Sequence, residues 1–458
     1  SRQMNISFEN PDKINGQLTL TIEKEDYEKD VEKQLKDYRK KANMPGFRPG
    51  MVPMGLIKRQ YGEAVKVDVI NKLIGEKLYG YVRDNKIQML GEPLPNEEKQ
   101  KPVDFKADGP FEFVFDIAVA PEFKAELGEG DTVDYYDIEV DDELVNRQVD
   151  MFASRAGHYD KVEDYDPAKN DMLKGDLREL GPDGNAKEDG VVVEGAVLMP
   201  EYIKVEEQKN LFDGAKLGSV ITFNPKKAYP ENDAEITSLL KIDKEKAATM
   251  ESDFTYLVTE ISRFVKAEVN QELFDNVFGK DEVKSEEEFR QKISEGIKAQ
   301  LATDSDYKFL LDVRKYMEDK VGELQFPDAM LKRVMLKNNE DRGQKFVDDN
   351  YAASIVELKW HLIKEQLVAD NGIKVDDNDV KNVAKETARI QFAQYGMANV
   401  PDEYIEKYAS DMLKERKNVD SLVDRAVDVK LIEALKGKVK LNKKSISLDD
   451  FNKMMQEK

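Results

Sequence analysis

The sequence contains no cysteine. Disulfides, thiolate zinc sites and cysteine nucleophiles are therefore excluded together. Histidine is almost as scarce, with only His158 and His361. Two are too few for a three-histidine metal site, and a serine triad would have to use one of them. Both read as helical packing residues, His158 at a junction between segments and His361 beside the sole tryptophan, Trp360. The sequence thus predicts no metal and no cofactor. No run of about 18 apolar residues occurs, and no apolar stretch follows the polar start, so a cytosolic protein with no membrane partner is expected. Ser1-Arg2-Gln3 read as a scar ahead of Met4.

What is present is length and charge. A chain of 458 residues suggests roughly three domains. Net charge is −22, which argues against a generic nucleic-acid coat protein. Hydrophobic residues make up 40% and charged residues 36%, a ratio that suits thin domains strung along an elongated chain.

Periodicity divides the chain into an α+β multidomain order. Leu18, Leu20 and Ile22 alternate as a strand, and Tyr27, Val31, Leu35, Tyr38 and Ala42 follow at helical steps. Pro45 ends that helix and residues 46–53 must be a loop. Val65, Val69, Leu73 and Ile74 start a second helix that runs to about Tyr81, and Phe111, Phe113, Phe115, Ile117 and Val119 close the segment as a strand. Residues 1–120 therefore read as a small α+β domain. Residues 121–160 read as a linker and an arm helix packing on the C-terminal domain, the helix carrying Leu144, Val145, Val149 and Phe152. Residues 161–266 hold short strands and turns, among them Val191 to Leu198 and Phe254 to Ile261. Residues 267–458 read as helix throughout, with a capping box at Ser285 to Glu288 and a helix start at Pro327.

The sharpest local feature is a run of cations. Residues 1–120 hold 20 Lys+Arg and 20 Asp+Glu, so the remaining 338 residues carry the whole net charge. No acid lies between Asp37 and Glu63, whereas Arg39, Lys40, Lys41, Arg48, Lys58 and Arg59 all do. Such a patch attracts phosphates. A helix C-terminus enriched in cations to suit its dipole would account for Arg39, Lys40 and Lys41, but not for the loop. In the loop itself, Gly46, Gly50, Pro49 and Pro53 impose one backbone path and leave Phe47 and Arg48 at the tip. The bland alternative is Phe47 tucked into the domain.

The loop resembles the Gly-Phe-Arg-x-Gly-x-x-Pro ribosome-docking signature of the trigger factor family, bacterial nascent-chain chaperones. Ile57-Lys58-Arg59-Gln60-Tyr61-Gly62 and Leu90-Gly91-Glu92-Pro93 resemble the same family's N-terminal domain. One departure is Pro49, where the family usually has a lysine. The resemblance implies a ribosome-binding domain, an FKBP-like insert at 161–266 and an elongated all-helical chaperone domain. It implies docking through Gly46, Phe47, Arg48, Gly50 and Pro53, with Arg39, Lys40, Lys41, Lys58 and Arg59 beside them. The implied partners are the exit-tunnel protein and rRNA of the ribosome, nascent and unfolded polypeptides and, off the ribosome, a second copy of the chain.

An FKBP-type prolyl isomerase needs an apolar aromatic pocket and no acid or base. Leu211 to Gly218 resembles the turn after that pocket, and Phe212, Tyr229 and Phe254 resemble its aromatics. Leu177 stands where an aromatic is usual, and Tyr202 to Asn210 is charged where the pocket floor belongs. The fold is expected without an assured activity, and core packing explains the aromatics nearly as well. In the helical part, Met330, Met335, Phe392, Tyr395 and Met397 are expected on the client-holding surface, where soft apolar side chains adapt to many partners. Interhelical core would explain them too. The leading expectation is a ribosome-associated chaperone. Its alternative is an active isomerase acting on free unfolded proteins. A third reading, an extracytoplasmic chaperone, leaves the basic loop unexplained.

Overall fold

The computed structural model describes residues 5–395 and 400–457. The chain opens with β1 (Ile6–Glu9) and β2 (Asn15–Ile22), paired antiparallel with Ile6 opposite Leu20. Leu18, Leu20 and Ile22 are fully buried, the alternation of a strand with one face on the core. In α1 (Lys24–Lys41), Glu23 and Asp26 form a capping box, and the helix ends ahead of Pro45. α2 (Met54–Asp84) begins directly after Pro53, well before the Val65 at which its apolar stripe predicts a start. Its first two turns carry one buried anchor, Ile57, among exposed cations, too sparse a stripe to read from sequence. β3 (Met89–Pro95) and β4 (Phe111–Val119) complete an antiparallel sheet of order β1-β2-β4-β3.

The stretch read as a linker is packed. Ala125 and Leu127 are buried, and Gln366 brackets the chain by accepting from Ala125 N–H at 2.7 Å and donating to Phe123 O at 3.0 Å. Asp131 accepts from Tyr316, Gly128 N–H and Lys320. Burial would raise its pKa, but these donors hold the carboxyl below the usual range. β5 (Thr132–Ile138) follows, then α3 (Asp142–Arg155), capped by the Asp141 side chain.

His158 opens β6 (His158–Val162) instead of lying in a helix. Gly157 ends the helical stretch, and His158 pairs across to Val265. β7 (Met172–Glu179) and β8 (Val192–Leu198) come next, then α4 (Glu206–Asn210), β9 (Val220–Phe223), α5 (Pro225–Ala228), α6 (Asp233–Leu240) and α7 (Lys244–Thr249). β10 (Phe254–Val265) organises the sheet. It pairs with β7 along one edge; on the other, its first residues pair with β9 and its last with β6.

The helices α8 (Gln271–Phe278), α9 (Glu286–Val321), α10 (Asp328–Asn338), α11 (Gly343–Asp370), α12 (Asp377–Gln394), α13 (Asp402–Met412) and α14 (Arg416–Lys436) follow. Ser285 Oγ accepts from Glu288 N–H, while the Glu288 carboxylate accepts from Lys284 N–H, not from Ser285 N–H as a capping box requires. The all-helix expectation fails at β11 (Lys440–Ile446), which pairs with β5 before the last helix, α15 (Leu448–Gln456). Only Leu441 and Ile446 are apolar in that strand, so it carries no alternation to read.

The chain forms two compact units. The first comprises Ser1–Asp134, Phe309–Lys374 and Val427–Asn442. Its core lies between the sheet and α1 and α2, and continues where Leu90, Leu94 and Ala118 meet Phe326, Met330 and Val334. The second comprises Tyr135–Lys308, Val375–Ala426 and Lys443–Lys458. It holds a β-rich core around Phe212, Phe223, Phe254 and Tyr256, a cluster joining α3 to α8 and α9, and a third among α12, α13 and α14.

One ion pair in the β-rich part makes a direct test of this packing. The fully buried Asp171 carboxylate accepts from Arg263 Nε and Nη2, both at 2.9 Å, and from Asp166 N–H at 2.8 Å. Asp171→Ala leaves those donors unpaired and should destabilise this part by about 3 kcal/mol. Asp171→Asn, which keeps an acceptor, should cost less. Hydrogen exchange of β7 and β10 in the intact chain measures both.

Candidate functional site

The 43–53 loop is closed at its base by two ties. Gly50 N–H donates to Ala42 O at 3.4 Å, and Arg39 Nε donates to Val52 O at 2.8 Å. Within it, Phe47 N–H donates to Met44 O at 3.2 Å and Met51 N–H to Arg48 O at 2.9 Å. Gly46 and Gly50 have φ of 90° and 81°, the left-handed region where other residues are strained. Val52 is wholly buried in the core with Tyr27, Leu35 and Ile57. The foot of the loop is thus anchored while its tip projects.

At that tip Phe47 is 41% exposed and Arg48 exposed, and Met51, beside the base, is 62% exposed. The tucked alternative for Phe47 does not describe this structure. Lys40, Lys41, Lys58 and Arg59 are also exposed, and among the described residues none of these four, nor Arg48, pairs with an acid. Arg39 differs from its neighbours. It is half-buried and holds the loop, a structural role that the charge pattern alone did not indicate. Pro53 is exposed and sits at the N-cap of α2, where its fixed φ suits the turn into the helix.

The residues compared with an isomerase pocket lie elsewhere, in the β-rich core. Leu177, Phe212 and Phe254 have no exposed surface. Phe212, Phe223 and Tyr256 pack edge to face with centroids 5.3 to 6.4 Å apart. Tyr256 donates its hydroxyl to Ala196 O at 2.7 Å. Tyr229 is half-buried at the edge of this cluster, and burial, with Glu235 nearby, pushes its hydroxyl pKa up. Of the four, only Tyr229 has surface to offer a peptide, so the core-packing reading describes the other three. Phe223 and Tyr256 were missed as members, although each stands at an inward position of an alternating strand.

The expected client-holding residues separate. Met330 is buried between α10 and the first unit's sheet, not on a surface, because it fills the gap beside Leu90 and Leu94. Met335 is half-buried and lines a shallow groove of about 650 Å³ with Phe346, Asn350, Leu358 and His361. In the second unit, Phe392 packs on Tyr408 with centroids 5.4 Å apart, and Tyr395 is 83% exposed. Met397 lies outside the described residues. His361 pairs with Glu365 at 3.2 Å, and His158 with Asp160 at 2.9 Å, both on the surface. Among the described residues no group of three acids or histidines is placed to hold a metal. No described helix is long and apolar enough to cross a membrane.

Three protein-family models match the chain: Bacterial trigger factor protein over residues 4–152, the FKBP-like domain of probable trigger factor over 159–266, and its C-terminal domain over 305–455. The chain belongs to the trigger factor family. Curated proteins named trigger factor align with almost all of it. That of Chlorobaculum tepidum is 23% identical, covering 98% of this chain and 100% of its own. That of Shewanella woodyi is 24% identical with 99% and 100% covered, and that of Pelagibacter ubique 21% with 99% and 90%. A solved structure of a trigger factor chaperone covers 94% of this chain and 99% of its own at 16% identity, with a TM-score of 0.48. The family assignment rests on the sequence matches. The 43–53 loop lies inside the match to the bacterial trigger factor model, and the aromatic core inside the FKBP-like match.

Arg39 provides the test of the loop's architecture. Arg39→Met removes the donor to Val52 O, so chymotrypsin should cleave after Phe47 several-fold faster than in the wild type. Lys40→Met and Lys41→Met, which carry no such bond, should leave the cleavage rate unchanged.

Proposed function

We propose that this chain is a ribosome-associated chaperone that docks at the polypeptide exit tunnel and shields apolar segments of nascent and unfolded chains. The observation that carries the reading is the loop. Phe47 and Arg48 are exposed on a backbone closed by two hydrogen bonds, beside unpaired cations, within the segment matched by the bacterial trigger factor family. An exposed aromatic beside an arginine offers stacking together with carboxylate or phosphate binding, which suits a surface of protein and rRNA. Pro49 stands where the family usually has lysine, so one cation fewer faces the ribosome.

In this reading residues 1–120 dock, 121–160 connect and brace, 161–266 form an FKBP-like insert, and 267–458 hold clients. Holding needs no catalytic residue. Exposed or half-buried Tyr395, Phe392 and Met335 offer adaptable apolar contact, and the surrounding negative charge keeps it soluble. The setting is cytoplasmic, with no membrane partner, and two copies pair when off the ribosome. This reading does not depend on prolyl isomerisation. The alternative, an active isomerase working on free unfolded proteins, needs an open aromatic pocket, and the burial of Leu177, Phe212 and Phe254 weighs against it.

Two measurements test this. Co-sedimentation with ribosomes across a salt series should show binding that weakens with salt. The Phe47→Ala/Arg48→Ala variant should bind at least about tenfold more weakly while keeping its melting temperature, since both side chains lie at the surface. Wild-type protein that fails to bind ribosomes of its own species at low salt would overturn the proposal. In a protease-coupled prolyl-peptide assay the full chain should not exceed the uncatalysed rate; clear turnover would favour the isomerase.

A further inference from the structure

Beside the loop, α1 and α2 present a pair of tyrosines with nearly parallel rings. Tyr38 and Tyr61 have centroids 5.2 Å apart and an interplanar angle of 16°. Tyr61 is half-buried and packs on the domain core, so its ring is fixed. Tyr38 stacks on the outside of it and is 44% exposed. Tyr61 covers one face of Tyr38, so the exposure belongs to the opposite face and the edge. The result is a rigid aromatic plane, backed by the core and open to solvent.

Cations flank that plane on both helices. Lys41 lies three residues after Tyr38 in α1, and Lys58 three residues before Tyr61 in α2, a spacing that puts each lysine on the same helix face as its tyrosine. Both lysines are exposed and, among the described residues, neither has an acidic partner. The plane also has a fixed relation to the loop, because Arg39, the residue after Tyr38, donates to Val52 O. An open aromatic face with unpaired cations on either side is the arrangement that takes an unpaired nucleotide, the base stacking on the ring and its phosphates meeting the ammonium groups.

We propose that Tyr38 is a stacking platform for an unpaired RNA base, with Lys41 and Lys58 at the neighbouring phosphates. The proposal rests on the ribosome-docking reading and deepens it. It gives the docking domain a contact with rRNA that is separate from Phe47 and Arg48 at the loop tip.

The test is ribosome binding by the intact chain with substitutions at Tyr38. Stacking lost at one base should weaken binding roughly 5- to 150-fold in Tyr38→Ala. Tyr38→Phe should bind as the wild type does, whereas Tyr38→Leu, apolar but without a π face, should resemble the alanine variant. The salt dependence should be unchanged in Tyr38→Ala and shallower in Lys41→Gln/Lys58→Gln, since only the latter removes phosphate contacts. Ultraviolet crosslinking of the complex should attach the Tyr38 peptide to a nucleotide. Equal binding by wild type and Tyr38→Ala, or crosslinks from that peptide to protein alone, would overturn this inference and leave docking through the loop intact. Wild type that does not bind ribosomes overturns the docking reading and this one with it.

Discussion

Val52 joins the interior of the N-terminal α+β part to its exposed loop. Its side chain is wholly buried among the residues that hold α1 and α2 on the sheet, while its carbonyl accepts from Arg39 on the preceding helix. Moving the lower end of the loop would therefore open the core and orphan a backbone acceptor at once, both costly. That constraint lets a segment with five exposed residues in succession, Pro45 to Pro49, keep one path. The prolines and left-handed glycines reduce the alternatives further. With the foot anchored through buried Val52, Phe47 stands 41% exposed.

Charge divides the labour along the chain. Residues 1–120 are neutral overall yet keep their cations clear of acids around the loop, while the remaining residues carry all of the −22. In the proposed docking, repulsion between those acidic residues and a polyanionic partner would favour contact through residues 1–120.

The sequence made some elements legible and hid others for physical reasons. β2 and β4 alternate because each has one face on the core, and the loop announces itself through glycine and proline. β6 is exposed along four of its five residues and β11 along most of its length, so neither has a period to detect. The clamp from Arg39 depends on where a carbonyl thirteen residues away arrives in space, which no local pattern encodes. Met330 and Met335 are chemically alike and sit on one helix, but the neighbouring sheet and helix bury the first and leave the second at a groove. In the FKBP-like segment an aromatic at an inward strand position fits a pocket wall or a core equally well until its exposure is seen.

The pairing of β6 with the end of β10 has a topological consequence. The chain enters the FKBP-like segment at His158 and leaves it at Val265, and these two residues are directly opposite each other in the ladder, about 5 Å apart. The neck is fastened just outside, where Ala267 N–H donates to Ala153 O at 2.9 Å and Lys266 pairs with Asp150. More than a hundred residues are thus attached like a pendant on a closed ring, with both strands of the attachment side by side. Such a module can be excised, enlarged or exchanged by evolution while α3 and α8 continue to share their own core. A segment attached in this way can drift in its chemistry without disturbing the folding of residues 1–120.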